Sequence, residues 1–188
     1  MSCLLSKGRQ ITCRDTVGGI KNAYFFRFQD ITSSTIANSE LTDLEGIDNI
    51  KKYILKRGTA AFTETINASS ENGTVFFTPS VNIKLHKLTK EDQNELKVLS
   101  QVRLCIGLEL NELNSNGKNV VLLCGLDNGM ELASGTNVSG AAFGDMNGYD
   151  WTFEGAESFP TPTVADYTSA PFDNTAFNSG SAITIDAD

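Results

Sequence analysis

Residues 104–124 read LCIGLELNELNSNGKNVVLLC, and this stretch decides the fold class. Leu104, Ile106, Leu108 and Leu110 alternate with Arg103, Cys105, Gly107 and Glu109, which puts one apolar and one polar face on a strand. Asn116-Gly117 follows. Asn-Gly accepts the positive φ angles of a type I′ turn and is the strongest short signal for a hairpin. Residues 120–123 are apolar on both faces, so the returning strand is expected to be central or to lie in an interface.

The same alternation recurs on both sides of this hairpin. Val81, Ile83 and Leu85 alternate with Asn82, Lys84 and His86, and Tyr149, Trp151 and Phe153 with Asp150, Thr152 and Glu154. Tyr24, Phe26 and Phe28 repeat it, and the intervening Phe25 predicts a strand covered on both faces. Three further Asn-Gly pairs, at Asn72, Asn128 and Asn147, punctuate the chain as turns. One helix is expected near 89–100. Thr89 can cap it, Glu91 and Asp92 suit its first turn, and Leu96, Leu99 and Val102 follow at helical spacing. Residues 31–48 are rich in Ser, Thr, Asn and Asp and read as a long loop with a helical turn near Leu44. The fold class is therefore mainly β: two packed antiparallel sheets, as a sandwich or barrel, with one flanking helix.

Composition changes at Ser158. Residues 1–157 read as the β-rich domain, and residues 158–188, which hold three of the 4 prolines, read as an extended C-terminal arm. A stretch this polar is expected to need a neighbouring surface to order it. Phe159, Tyr167, Phe172, Phe177, Ile183 and Ile185 are spaced as anchors for pockets on another subunit. Deleting the arm is expected to leave the β domain folded but to block stacking of subunits.

The 188 residues carry a formal net charge of -8, and no Lys or Arg follows Lys118. This balance argues against a sequence-specific nucleic-acid binder, which normally presents a basic face. An acidic surface instead keeps a polyanion from sticking. The four cysteines, Cys3, Cys13, Cys105 and Cys124, form no CxxC pair and have no zinc spacing. Cys105 and Cys124 sit in apolar runs and read as buried thiols, with a disulfide open to them if their strands pair. The N-terminal MSCLL is too soon interrupted by Lys7 and Arg9 to read as a signal peptide, and no apolar run reaches the roughly 20 residues of a membrane span. Synthesis in a cytoplasm and no membrane partner are expected.

Residues able to do chemistry are sparse. The single histidine, His86, lies on the polar face of its strand without a local nucleophile or acid. The Asp- and Asn-containing segments around Gly129 and Gly144 lack the spacing of a calcium loop. Gly18-Gly19 has no nucleotide-binding glycine pattern around it. Glu64 and Glu71 could be paired on paper as glycosidase carboxylates, as could many pairs in an acidic chain. No catalytic, cofactor or metal site is expected.

Four blocks carry a resemblance: GGIKNAYFFRF at 18–28, TETINASSENGTVFF at 63–77, VNIKLHKLTKEDQNELK at 81–97, and LCGLDNGMELASGTNVSGAAFGDMNGYDWTFEGAE at 123–157. Together they resemble tail-tube-like virion proteins of tailed bacteriophages, particularly those of phages infecting Bacteroidetes. The resemblance spans roughly residues 8–160 and rests on structural glycines and strand alternation. It implies subunits that close into rings, commonly hexameric, stacked as a tube through which DNA passes without specific binding. It further implies assembly in the virion tail after synthesis in the host cytoplasm, with other tail proteins as neighbours. Gly125, Gly129, Gly140, Gly144 and Gly148 match it as backbone requirements. Thr63, Glu64, Thr65 and Asn67 are candidate lumen residues. A neck or connector ring, or the tube of a phage-derived injection device, fits the same sequence. A lectin-like or receptor-binding β-sandwich is the rival from another class, with Tyr149 and Trp151 as its sugar platform.

Overall fold

A computed structural model describes residues 8–9 and 16–187; Cys3, Cys13 and the N-terminal MSCLL lie outside them. Strands β1 (Ile20–Arg27), β2 (Ser33–Ala37), β3 (Glu40–Glu45), β4 (Asn49–Ile54), β5 (Ala60–Ser69) and β6 (Thr74–His86) precede the helix α1 (Lys90–Leu99). Then come β7 (Leu104–Leu113), β8 (Asn119–Cys124), β9 (Met130–Val138), β10 (Gly148–Gly155), β11 (Thr163–Val164) and β12 (Thr184–Asp186).

Hydrogen bonding links the strands into one 12-stranded mixed sheet, folded over into two leaves. The first leaf runs β12-β4-β1-β7-β8-β11-β3-β2, and the second runs β9-β10-β6-β5. They join where Leu104 of β7 pairs with Met130 of β9. The β3–β11 and β4–β12 pairs are parallel, and the other pairs are antiparallel. The Asn116-Gly117 hairpin joins β7 to β8 as expected, with Gly117 at φ 75.

The helix forms where its signals lie. Asp92 N–H donates to Thr89 Oγ1 at 3.1 Å and the Thr89 hydroxyl donates back to Asp92 Oδ2 at 2.6 Å, so cap and first turn hold each other. Leu96 and Leu99 turn inward onto the core between the leaves, and Val102 joins them just past the helix.

Two cores flank the first leaf. Between the leaves, Phe25, Ile106 and Leu108 face Ile83, Trp151 and Phe153. On the far side of the first leaf, Tyr24, Phe26, Cys105 and Leu123 pack beneath Leu41, Leu44, Phe172 and Phe177. Strands β1 and β7 are thus buried on both faces, and the face of β7 that reads as polar in sequence lies in the second core. Cys105 and Cys124 accordingly enter different cores and remain free thiols. Burial pushes both thiols well up from their ordinary acidity.

Two local expectations are corrected. Residues 33–45 form a hairpin, not a loop with a helical turn. Asn38 and Ser39 take φ of 55 and 65 at its turn, which supplies the geometry of an Asn-Gly turn without the glycine. Leu41 and Leu44 are three apart, a helical spacing. In the strand, a register shift adds one residue between them and returns both to the same face.

The C-terminal segment is the second correction. It lies on its own chain and closes the second core, with Phe172 and Phe177 only 2% and 1% exposed. Val164 is buried beside them, and Phe159, Tyr167, Ile183 and Ile185 pack around the rim. The anchors read as seeking another subunit fill pockets of this one. Gly107, in the middle of β7, leaves the space they use: a Cβ there would meet Phe172 Cζ at 2.9 Å. Phe172 sets its ring edge-on to Tyr24, 5.6 Å between centroids.

Candidate assembly surface

The outer face of the second leaf is polar over its middle, with Phe76 and Val138 exposed towards its two ends. Pairing places Thr63 beside Ser80, Thr65 beside Thr78 and Asn67 beside Phe76. Asn82 then stands beside Thr152, and Thr152 beside Ser134. The opposite faces of these strands carry Ile83, Trp151 and Phe153 into the core. Period two therefore explains both surfaces at once. Asn82 Nδ2 donates to Asp150 Oδ1 at 2.7 Å and to Thr152 Oγ1 at 3.0 Å, and Lys84 Nζ meets Asp150 Oδ2 at 3.2 Å. Lys84 is the one Lys or Arg in the four strands, and its charge is answered on the spot.

Three of the four expected lumen residues, Thr63, Thr65 and Asn67, share this face, with Asn67 Nδ2 donating to Thr78 Oγ1 at 2.8 Å. Glu64 points the other way. Its Oε1 accepts from Thr161 N–H at 2.8 Å and from the Thr161 hydroxyl at 2.6 Å, clamping the C-terminal segment to β5. Adjacent residues of a strand face opposite sides, so Glu64 could not have shared a surface with both threonines.

Both edges of this leaf are open. No strand pairs with the outer edge of β5, and β9 has a neighbour on that side only at Met130, among the described residues. An unpaired edge usually carries Lys or Pro, or is very short, to prevent association. Neither AAFTETINAS (β5) nor MELASGTNV (β9) contains Lys or Pro; β5 turns the charged Glu64 inward and β9 carries a bulge opposite Thr152 and Phe153.

Strand β10 pairs with β6 as far as Glu154 and Ser80, and Glu157 bridges Phe77 just beyond; from that bridge on, β5 and β6 continue as a two-stranded hairpin. It bears Ile66, Val75 and Phe76 at 65%, 59% and 43% exposure. At the opposite end of the leaf, the β9–β10 loop presents Phe143 fully to solvent. Asp145 Oδ2 shapes that loop by accepting the Ala141 and Ala142 N–H groups at 2.9 and 2.8 Å.

Sequence reading missed two buried carboxylates. Glu109 accepts from Asn22 Nδ2 at 2.6 Å, the Tyr24 hydroxyl at 2.8 Å and Lys21 Nζ at 3.0 Å. Burial pushes its pKa up, but these donors outweigh burial and hold it below the ordinary 4.5. Glu157 receives the Asp127 and Asn128 N–H groups at 2.8 and 3.2 Å, which locks the β8–β9 turn. Burial dominates there and raises its pKa. Both carboxylates are occupied with structural donors. His86 and Glu71 lie at opposite ends of β6 and its hairpin, with Glu64 opposite Pro79 between them. Among the described residues, no group of three His, Cys, Asp or Glu side chains could hold a metal.

The two carboxylates act on stability in opposite senses. A lowered folded pKa makes the Glu109 contribution complete above about pH 4.5 and lost as pH falls through the folded value. A raised pKa makes the Glu157 contribution complete at low pH and lost as pH rises. Glu109→Gln is expected to cost about 2–3 kcal/mol at neutral pH, because it replaces charge-assisted hydrogen bonds. It should also flatten the fall of Tm on acidification below about pH 4.5. Thermal melts of both proteins from pH 7 to pH 2 check this; parallel curves would remove Glu109 as an acid-sensitive group.

Tyr149 and Trp151 are 0% and 1% exposed, so they do not form a sugar platform. Of the glycines tied to the resemblance, Gly125 has a clear backbone reason, with φ 85 and a Cβ position 2.7 Å from Leu104 O. Gly144 has none: its φ is not positive and the space around it is open. Among the described residues no helix is long and apolar enough to cross a membrane. No protein-family model, curated protein or solved structure matches the chain.

Proposed function

We propose that this chain is a structural subunit of a bacteriophage tail, closing with copies of itself into rings that stack as a tube conducting DNA during ejection. The observation that carries the reading is the second leaf, four antiparallel strands with two long edges free of Lys and Pro and a largely polar outer face. Strands β5 and β9 at its two edges run in opposite directions. Rotation about an axis along the strands keeps each direction, so β5 of one copy meets β9 of the next antiparallel. Repetition closes a barrel and removes every open edge of this leaf. Six copies would give about two dozen strands, more than leave an aqueous channel in known barrels. The lining would be this face of Ser, Thr and Asn side chains with the acidic Asp150 and Glu154, and its one lysine is already paired with Asp150. The sequence resemblance supports the same reading independently.

Two cysteines test the edge pairing. In a chain with Cys3→Ser and Cys13→Ser, the pair Thr65→Cys and Ser134→Cys places thiols on the outer face of β5 and β9. Oxidation of assembled protein is expected to give a covalent ladder ending at the ring, while electron microscopy of the parent shows rings or tubes with an open channel. Rings without cross-links at any neighbouring β5–β9 register would reject this closure. A particle that stays monomeric across a concentration series would reject the assembly reading itself.

A further inference from the structure

We infer that the two ends of the second leaf are complementary docking surfaces for one another, so that copies stack head to tail through an apolar contact ringed by opposite charges. The inference rests on the self-assembly reading and specifies its axial contact. At one end the β5–β6 hairpin projects past the rest of the leaf. Two paired strands alone are marginal in water, and this pair keeps Ile66, Val75 and Phe76 exposed. Glu71 at its tip and Glu154 at the end of β10 are exposed and have no side-chain partner among the described residues.

The other end has the opposite sign. Lys56 and Arg57 lie in the turn that enters β5, and Lys87 follows β6; all three are exposed with no side-chain partner among the described residues. Two backbone bonds hold these segments side by side. Lys84 N–H donates to Thr59 O at 2.7 Å, and Lys87 N–H donates to Asn147 O at 2.8 Å, at the foot of the loop that presents Phe143. The loop is preorganised by Asp145, so ordering it on contact costs little.

The occupant of each end is therefore the other end of a second copy. An apolar anchor meets an apolar hairpin, and a basic rim meets an acidic one. The two surfaces differ, so the contact is heterologous and propagates without limit along the axis, as a stack requires.

Charge reversal at single ends provides the test. Lys56→Glu/Arg57→Glu makes both ends acidic, and Glu71→Lys/Glu154→Lys makes both basic. Each variant, shown by circular dichroism to fold, is expected to form rings but at least tenfold fewer stacks than the parent, counted by electron microscopy. An equimolar mixture should restore stacking, because acidic ends then meet basic ones. Phe143→Ser should lower stacking while keeping rings. The inference is overturned if each charge variant stacks alone as the parent does, or if mixing fails to restore stacks. Absence of rings in the parent would overturn the self-assembly reading together with it.

Discussion

A chain ending at Glu157 is expected not to fold. The sequence alone suggested an arm needed for stacking but not for folding, whereas the structure gives residues 158–187 the role of a layer. Val164, Phe172 and Phe177 are buried in the second core, and their loss uncovers Tyr24, Phe26, Cys105 and Leu123 on the central strands. Fully burying one large apolar side chain is worth about 1.5–3 kcal/mol, so three of them approach the roughly 5–15 kcal/mol that holds a whole domain together. The loss goes further than side chains. Strand β11 bridges β8 to β3, so its removal also detaches the β2–β3 hairpin from the leaf. Lys118 Nζ donates to Thr168 O at 2.7 Å and also to Tyr167 O, and Asn114 and Asn116 donate to Asp166; each bond ends with the truncation. The expected observation is an insoluble or dye-binding product with no cooperative thermal transition. Phe172→Ala is the milder form and should cost about 3–5 kcal/mol. A truncated protein melting within a few degrees of the parent would show that the second core is not needed, and would restore the arm to a role outside its own subunit.

If the outer face of the second leaf lines a DNA channel as proposed, placing lysines on it is expected to make it retain DNA. Thr63 and Thr65 are exposed on that face, so Thr63→Lys/Thr65→Lys disturbs no buried contact. Each lysine that reaches a phosphate adds about 0.9 to the slope of log affinity against log salt, and a closed ring multiplies the number of contacts. Assembled variant should therefore hold a short duplex at about 50 mM salt, orders of magnitude above the parent, and release it steeply by about 200 mM. Ser33→Lys/Thr35→Lys adds the same charge on β2, beyond the second core, and should change retention little. Equal retention by both variants would mean that the Ser, Thr and Asn face does not line a channel.

Much of the architecture was legible because period two survives in single strands. The alternations at 81–86, 104–110 and 149–154 fixed which side chains of β6, β7 and β10 face the core between the leaves. Asn116-Gly117 fixed a hairpin, and Thr89 with Asp92 fixed the start of the helix. The candidate surface was partly legible for the same reason: Thr63, Thr65 and Asn67 share a face by parity. Glu64 breaks that parity and was misplaced.

The β2–β3 hairpin was hidden because a register shift imitates helical spacing at Leu41 and Leu44, and because its turn uses Asn38-Ser39 in place of Asn-Gly. The buried carboxylate Glu109 was hidden because its face of β7 reads as polar. Nothing local tells that Lys21, Asn22 and Tyr24 of a strand almost ninety positions away will supply its donors.

The sequence by itself determined the β class, the order of the principal strands, the helix and the acidic second half, since these rest on neighbours within a few residues. Tertiary structure alone decided that the C-terminal segment completes its own subunit and that the edges of the second leaf stay open. The reason is physical. Isolated aromatics in a polar segment carry no period, so their pockets appear only when β1, β7 and β3 have been brought together, with Gly107 clearing the space for Phe172.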